Sequence, residues 1–307
     1  MRIGFIGLGR MGSLMVSRLL EQKIGVVATD IHPDAVRRTA SAGATPAFSI
    51  PELVKNLPPP RIIWVMVPHG RATDTVFAEL GKQASRGDIL IDGGNTFYQD
   101  SLQRAALLRK KGIYLLDIGV SGGLAGARDG ASLMAGGERK AYDAVEPLLK
   151  ALAVPDGYGY MGKSGAGHFV KMVHNGIEYA LLQSYGEGYQ LVHASPFHPD
   201  LREVTKVWRN GSVIRSWLLE LAQAGFAADP GLENNSGVVC GGSTGEWTVQ
   251  AARKLKVPVP VLSLSLRQRI ASRKRPGFSS KVIAMLRQQF GGHPIPPKGK
   301  TCEELGL

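Results

Sequence analysis

The chain has 307 residues, 44% of them hydrophobic, enough for a full core and, by size, for two domains. Its two cysteines, Cys240 and Cys302, are too few for a disulfide framework and fit no zinc spacing, so a reducing, cytoplasmic setting is expected. The formal net charge is +12, no apolar run is long enough to span a bilayer, and the opening MRIGFIGLG lacks the charged leader and cleavage site of a signal peptide.

In chain order, strands are expected at residues 2–6, 25–30, 61–67, 89–92 and 114–118, where short apolar runs occur. Helical patterns separate them at 11–22, 33–41, 72–83 and 99–110. Such alternation implies a parallel sheet covered by helices on both faces. Two further strands, at 131–135 and 158–161, extend it around a helix at 140–152. The pattern changes after Gly162. A long helix without proline runs from 165 to about 193, and further helices are expected at 201–209, 213–224, 248–256, 261–271 and 280–289. Residues 229–246 form a loop rich in glycine and asparagine, and the tail from 291 is irregular.

Gly7, Gly9 and Gly12 form G-x-G-x-x-G between the first strand and the first helix. In that context the first glycine permits a tight turn, the second admits a pyrophosphate to the backbone, and the third lets helix pack on strand. The helix N-terminus then attracts the phosphates. Asp30 ends the second strand, 18 residues beyond Gly12. A carboxylate there accepts from the adenosine ribose hydroxyls and repels a 2′-phosphate; Ile31 and His32 add no arginine to hold one. The cofactor is therefore expected to be NAD. The candidate cofactor residues are Gly7, Leu8, Gly9, Arg10, Met11, Gly12, Asp30, Val67, Pro68 and Asn95. A glycine turn without a ligand is the alternative. The fold class is α/β: a Rossmann domain with a doubly wound sheet over residues 1–163, an all-α substrate and dimerisation domain over 164–290, and a tail over 291–307.

The long helix carries Lys171, His174, Asn175, Glu178 and Tyr179. Spacings of three, four and seven put the first four on one face. The preceding GKSGAGHFVK is rich in glycine, so a ligand can approach the backbone. A lysine near bound nicotinamide suits a general base. The alternative is an ordinary solvated helix face. DIGVSGG, ending at Gly123, closes a strand with Ser121, Gly122 and Gly123, whose hydroxyl and open amides suit a carboxylate; a flexible turn is the plainer reading. DGGNTFY offers Asn95. Residues 247–302 contain twelve lysines and arginines and no acid, while the rest of the chain holds 25 of each sign. That local field suits a polyanion, either nucleic acid or a small substrate, or it is a solvated basic face.

Together, GLGRMG, DGGNTFYQD, DIGVSGG, GAGHFVKMVHNGIEY, WRNGSVIRSWLLE and RQQFGGH resemble the 6-phosphogluconate dehydrogenases of the β-hydroxyacid dehydrogenase superfamily. Ile118-Gly119 and His174-Asn175 stand where the hydroxyisobutyrate-type branch has Ala-Pro and Asn-Asn. The length resembles the short form of the family, and Asp30 fits its NAD-linked branch. The resemblance implies oxidative decarboxylation of 6-phospho-D-gluconate to D-ribulose 5-phosphate, a pentose phosphate pathway reaction, without a metal. It implies Lys171 as base and Glu178 as the acid that protonates the product carbon. It implies Ser121, Gly122 and Gly123 at the carboxyl end, Asn95, His174 and Asn175 on the hydroxyls, and Tyr179, Arg269, Arg287 and His293 on the phosphate. Because the tail of the long form comes from a neighbouring subunit, a homodimer or homotetramer with a shared active site is expected, with no nucleic-acid or membrane partner. One departure is Glu246 in GEWT, where the long form carries a phosphate-binding lysine; Lys254 is a candidate to compensate. The rival readings are a non-decarboxylating dehydrogenase of a smaller acid and a catalytically silent NAD-binding protein. Retention of Lys171 and Glu178 argues against the second, since fold alone does not fix function.

Overall fold

Aliphatic side chains alternate between two faces along each short strand, and both faces are covered by helices. The computed structural model describes residues 1–305. The chain begins with β1 (Arg2–Ile6), α1 (Arg10–Glu21), β2 (Gly25–Thr29), α2 (Pro33–Ser41), β3 (Thr45–Pro46), α3 (Ile50–Lys55), β4 (Ile62–Val65) and α4 (Arg71–Gln83). It continues with β5 (Ile89–Asp92), α5 (Tyr98–Arg109), β6 (Tyr114–Ser121), α6 (Gly123–Asp129), β7 (Ala131–Gly137), α7 (Arg139–Leu152) and β8 (Ala153–Gly162). One sheet has the order β3-β2-β1-β4-β5-β6-β7-β8. Pairings are parallel through β6; β7 runs antiparallel to β6, and β8 is parallel to β7. Ile3, Phe5, Val26, Ala28, Ile89 and Ile91 pack on one face, and Ile6, Val27, Val65 and Leu90 on the other. This is the doubly wound α/β class expected. Strand order reverses between β1 and β4, the crevice at which such sheets bind ligands.

Three short elements in this half go beyond the sequence reading. β3 and α3 are two and six residues long, too short for a periodic signal. A reciprocal cap nevertheless marks α3: Ser49 Oγ accepts from Glu52 N at 3.2 Å, and the Glu52 carboxylate accepts from Phe48 N, one residue before the cap, at 2.7 Å. α6 begins where Gly122 turns the chain at φ +118°.

The second half is helical: α8 (Ala166–His193), α9 (Leu201–Arg209), α10 (Trp217–Ala228), α11 (Ser243–Leu255), α12 (Pro260–Ala271) and α13 (Phe278–Gly291), then a 3₁₀ turn at Glu303–Leu305. Leu182, Tyr189, Leu219, Phe226, Leu232 and Val282 form its core. α10 starts later than residue 213 because Ser216 caps it, its Oγ accepting from Leu219 N. The chain divides into two compact units between Met172 and Val173, inside α8. No helix among the described residues is long and apolar enough to cross a membrane.

One expectation is corrected. Cys240 and Cys302 form a disulfide, with Cα atoms 5.6 Å apart. The thiol count therefore gives no support to a reducing compartment. Sixty-two residues separate the pair, and no local pattern announces it.

Candidate active site

The loop after β1 has the geometry a dinucleotide needs. Gly7 adopts φ +100°, and a Cβ on it would strike the Met66 carbonyl. A Cβ on Gly12 would strike the Gly7 carbonyl, so this glycine is what lets α1 start against the turn. A Cβ on Gly9 would meet nothing within 4 Å, which is the open approach a pyrophosphate requires. α1 has no acidic residue in its first turn and no side-chain cap, leaving its amides for an anion. Leu8, Arg10 and Met11 complete this turn, and Val67 Cγ1 lies 2.9 Å from the Cβ position of Gly7. The Pro68 carbonyl accepts from Thr73 Oγ1 at 2.8 Å, which fixes the loop after β4.

Asp30 follows β2. Its Oδ2 accepts from Leu8 N at 2.6 Å and its Oδ1 from His32 N at 2.8 Å. The carboxylate is thus held at the mouth of the glycine turn, with oxygen lone pairs left for ribose hydroxyls. These residues fit NAD.

Asn95 is exposed in the loop after β5. The loop is shaped by Asp92, 1% exposed, whose carboxylate accepts from Gly94 N, Thr96 Oγ1 and Arg104 Nη1, the last at 3.0 Å. Arg104 also pairs with Asp74 at 2.8 Å. Asp92 and Arg104 were not legible as a pair. Arg104→Ala strands a buried carboxylate, and we expect it to lower unfolding free energy by about 3–5 kcal/mol in urea titrations. A loss within about 0.5 kcal/mol, the range of a surface substitution, contradicts that.

β6 ends at Ser121, and Gly122 and Gly123 open α6. Gly119 of β6 faces Lys171 of α8; a Cβ there would strike Lys171 Cβ and stand 2.8 Å from its Cγ. The N-terminal unit therefore brings the Ser-Gly-Gly loop and the lysine onto neighbouring segments. Further along α8 come His174, Asn175, Glu178 and Tyr179. His174 Nδ1 and Asn175 Oδ1 are 3.1 Å apart. Helical spacing puts Lys171 and Glu178 two turns apart on one face, about 10 Å along the axis.

The second unit gathers cations around Tyr179. The Arg269 guanidinium lies over the Tyr179 ring, 3.3 Å from its centroid, and is 4% exposed. The Tyr179 hydroxyl is 3.1 Å from Thr244 Oγ1. Burial lowers the Arg269 pKa, while Tyr179 and Glu178 raise it. Burial, and then the charge of Arg269, lower Arg287 to about 10. The ion pairs of the described residues include neither arginine. His293 N donates to the Arg287 carbonyl at 3.4 Å, which folds His293 back onto the end of α13.

Sequence reasoning missed Arg273, one turn beyond Arg269. Its Nη2 donates to the Gly241 carbonyl at 2.7 Å, and its charge acts on both Arg269 and Arg287. A Cβ on Gly242 would lie 3.4 Å from Arg273 Nη2 and 3.8 Å from Glu246 Oε1. Both side chains therefore lie near Gly242, at the start of α11. The i, i+4 spacing of Arg269 and Arg273 was the available signal.

A family model described as the NAD binding domain of 6-phosphogluconate dehydrogenase matches residues 2–176, and one described as the 6-phosphogluconate dehydrogenase C-terminal domain matches residues 167–196. Over 300 residues the chain is 46% identical to the NAD(+)-dependent, decarboxylating 6-phosphogluconate dehydrogenase of Haloferax volcanii, covering 97% of this chain and 99% of that protein. It is 35% identical to the NADP(+)-dependent, decarboxylating 6-phosphogluconate dehydrogenase of Bacillus subtilis, covering 88% of this chain and 61% of that longer one. A solved 6-phosphogluconate dehydrogenase from Plasmodium falciparum, studied with NADP+ and with 6-phosphogluconate, matches with a TM-score of 0.81 at 29% identity, over 94% of this chain and 63% of that chain. The glycine turn, the α8 face and these matches agree: the chain belongs to the 6-phosphogluconate dehydrogenase family, and its N-terminal half is that family's NAD-binding domain.

Proposed function

We propose that the chain oxidises and decarboxylates 6-phospho-D-gluconate, giving D-ribulose 5-phosphate and carbon dioxide, with NAD preferred over NADP. The observation that carries the reading is the arginine cluster around Tyr179, in which the described ion pairs include neither Arg269 nor Arg287; Tyr179 shares α8 with Lys171. A buried guanidinium such as that of Arg269 costs free energy unless an anion satisfies it, and a phosphate matches its fork.

The glycine turn and Asp30 would hold NAD, which when bound would supply the acceptor for the hydride of the substrate's third carbon. Lys171 removes the proton of the hydroxyl on that carbon, leaving a ketone β to the carboxylate. The carbon–carbon bond to the carboxylate then breaks, carbon dioxide leaves, and the ketone oxygen receives the electron pair. Protonated Lys171 stabilises the resulting enediolate by charge and hydrogen bonding. Glu178 delivers a proton to the carbon that lost carbon dioxide. Ser121, Gly122 and Gly123 hold the carboxylate, and Asn95, His174 and Asn175 the hydroxyls. Arg269, Arg287, His293 and Tyr179 grip the phosphate, and Arg273 adds charge beside them. In this reading residues 1–163 serve the cofactor, 164–290 the substrate and subunit contacts, and 291–307 complete the phosphate end in a cytoplasmic homo-oligomer.

Purified protein with NAD should reduce it with 6-phosphogluconate, and with unphosphorylated gluconate at least about 30-fold less efficiently in kcat/KM. Equal use of the two acids contradicts the phosphate assignment. For the cofactor, Asp30→Ala should narrow the ratio of kcat/KM for NAD over NADP by about tenfold, as one ribose hydrogen bond to a charged acceptor is worth about 1.5 kcal/mol. An unchanged ratio removes Asp30 from that role.

A further inference from the structure

We propose that Asp117 is a positioning residue for Lys171: from β6 its carboxylate fixes the start of α8, and so the point from which the lysine leaves the helix. The inference rests on Lys171 being the base of the reaction above. Asp117 is 1% exposed. One carboxylate oxygen accepts from Gly165 N at 2.7 Å and the other from His168 N at 2.9 Å. Those amides belong to the opening turn of α8, which has no acidic residue of its own. A strand carboxylate therefore does what an N-cap does, with the helix dipole in its favour. Because both oxygens are engaged, the helix is fixed along its axis and about it. Lys171 follows His168 by three residues, a rise of about 4.5 Å.

Glycines remove the side chains that would hold α8 off the sheet. A Cβ on Gly136 of β7 would stand 2.5 Å from Gly167 N and 2.9 Å from Asp117 Oδ1. One on Gly167 would strike the carbonyls of Asp117 and Met134. Helix backbone thus rests on strand backbone, and the lysine stem passes over Gly119. α5 adds a second hold: His168, 2% exposed, is bonded through Nδ1 to Ser101 Oγ at 2.7 Å, and the Tyr98 and Phe169 rings meet edge-on at 5.2 Å. Burial pushes the Asp117 carboxyl above its ordinary value, while His168 and the two amides pull it back. Asp117 acts through α8 and not on the substrate.

The test compares wild type, Asp117→Asn and Gly119→Ala, assayed with 6-phosphogluconate carrying deuterium on the reacting carbon. Asp117→Asn keeps the shape but turns one acceptor into a donor facing an amide. Gly119→Ala places a methyl against the lysine stem. A misplacement of about 1 Å costs up to about 100-fold, so kcat should fall about 10- to 100-fold in both. The KM for NAD should move less than about twofold, and the isotope effect on kcat should rise as the chemical step slows. A purely structural role reduces the active fraction and leaves the isotope effect unchanged; that result, or wild-type kcat in both variants, overturns the proposal. Should Asp117→Asn fail to fold, Asp117→Glu, which keeps the carboxylate but moves it, is read by the same two measurements, and wild-type kcat with an unchanged isotope effect in it overturns the proposal. A fully active Lys171→Ala overturns the base assignment and this inference together, whereas an inactive Lys171→Ala with unaffected Asp117 and Gly119 variants overturns this inference only.

Discussion

Replacing Lys171 with alanine should leave NAD binding intact and cut turnover of 6-phosphogluconate by about 10²- to 10⁴-fold, the usual worth of a positioned general base. The lysine does two things in the proposed reaction. It takes the hydroxyl proton as hydride leaves, and it then faces the enediolate with a positive charge. Alanine removes both, while the glycine turn and Asp30, proposed to hold the cofactor, lie on other segments of the N-terminal unit. Fluorescence titration with NADH separates the two losses. Unchanged NADH affinity with lost turnover is the expected pair. Near-normal turnover means that another group is the base.

Arg269→Ala should lower kcat/KM for 6-phosphogluconate by about 30- to 1,000-fold, corresponding to about 2–4 kcal/mol for one partner of a buried charged contact. The size follows from placement. Arg269 is 4% exposed over the Tyr179 ring, so water screens its contact with an anion weakly. Arg269→Lys should recover only part of the loss, because an ammonium lacks the planar fork and stacks poorly. The loss should appear with the phosphorylated acid and largely vanish with gluconate. A uniform loss with both acids indicates damage to the helical unit instead. Thermal unfolding gives an independent readout: 6-phosphogluconate should raise the midpoint of wild type and not of Arg269→Ala.

The sequence carried most of the α/β half because each strand there is an apolar run bounded by turns, and because glycine spacing reports backbone contact directly. Gly7 and Gly12 are required by carbonyls that stand where a Cβ would go. Short elements escaped for want of length: α3 announces itself only by the Ser49 and Glu52 cap. The candidate face of α8 was legible from its helical period, since Lys171, His174, Asn175 and Glu178 lie on one stretch of chain. Groups that meet only through tertiary contact were not. Asp117 stands in a strand of apolar neighbours, and nothing local shows that its carboxylate caps a helix 48 residues later. Arg273 looked like one of many basic residues until the loop at Gly241 placed its guanidinium. The disulfide joins a loop to the tail, and both cysteines lack local context.

In the proposed reaction one helix face carries a sugar acid through oxidation and then loss of its carboxylate. The most direct measurement follows NADH and carbon dioxide in the same reaction of purified protein, NAD and 6-phosphogluconate. One carbon dioxide should appear for each NADH, in step from the first turnovers. NADH without the gas would identify a dehydrogenase that stops at the keto acid, and neither product would mark a silent NAD-binding protein; either result contradicts the account.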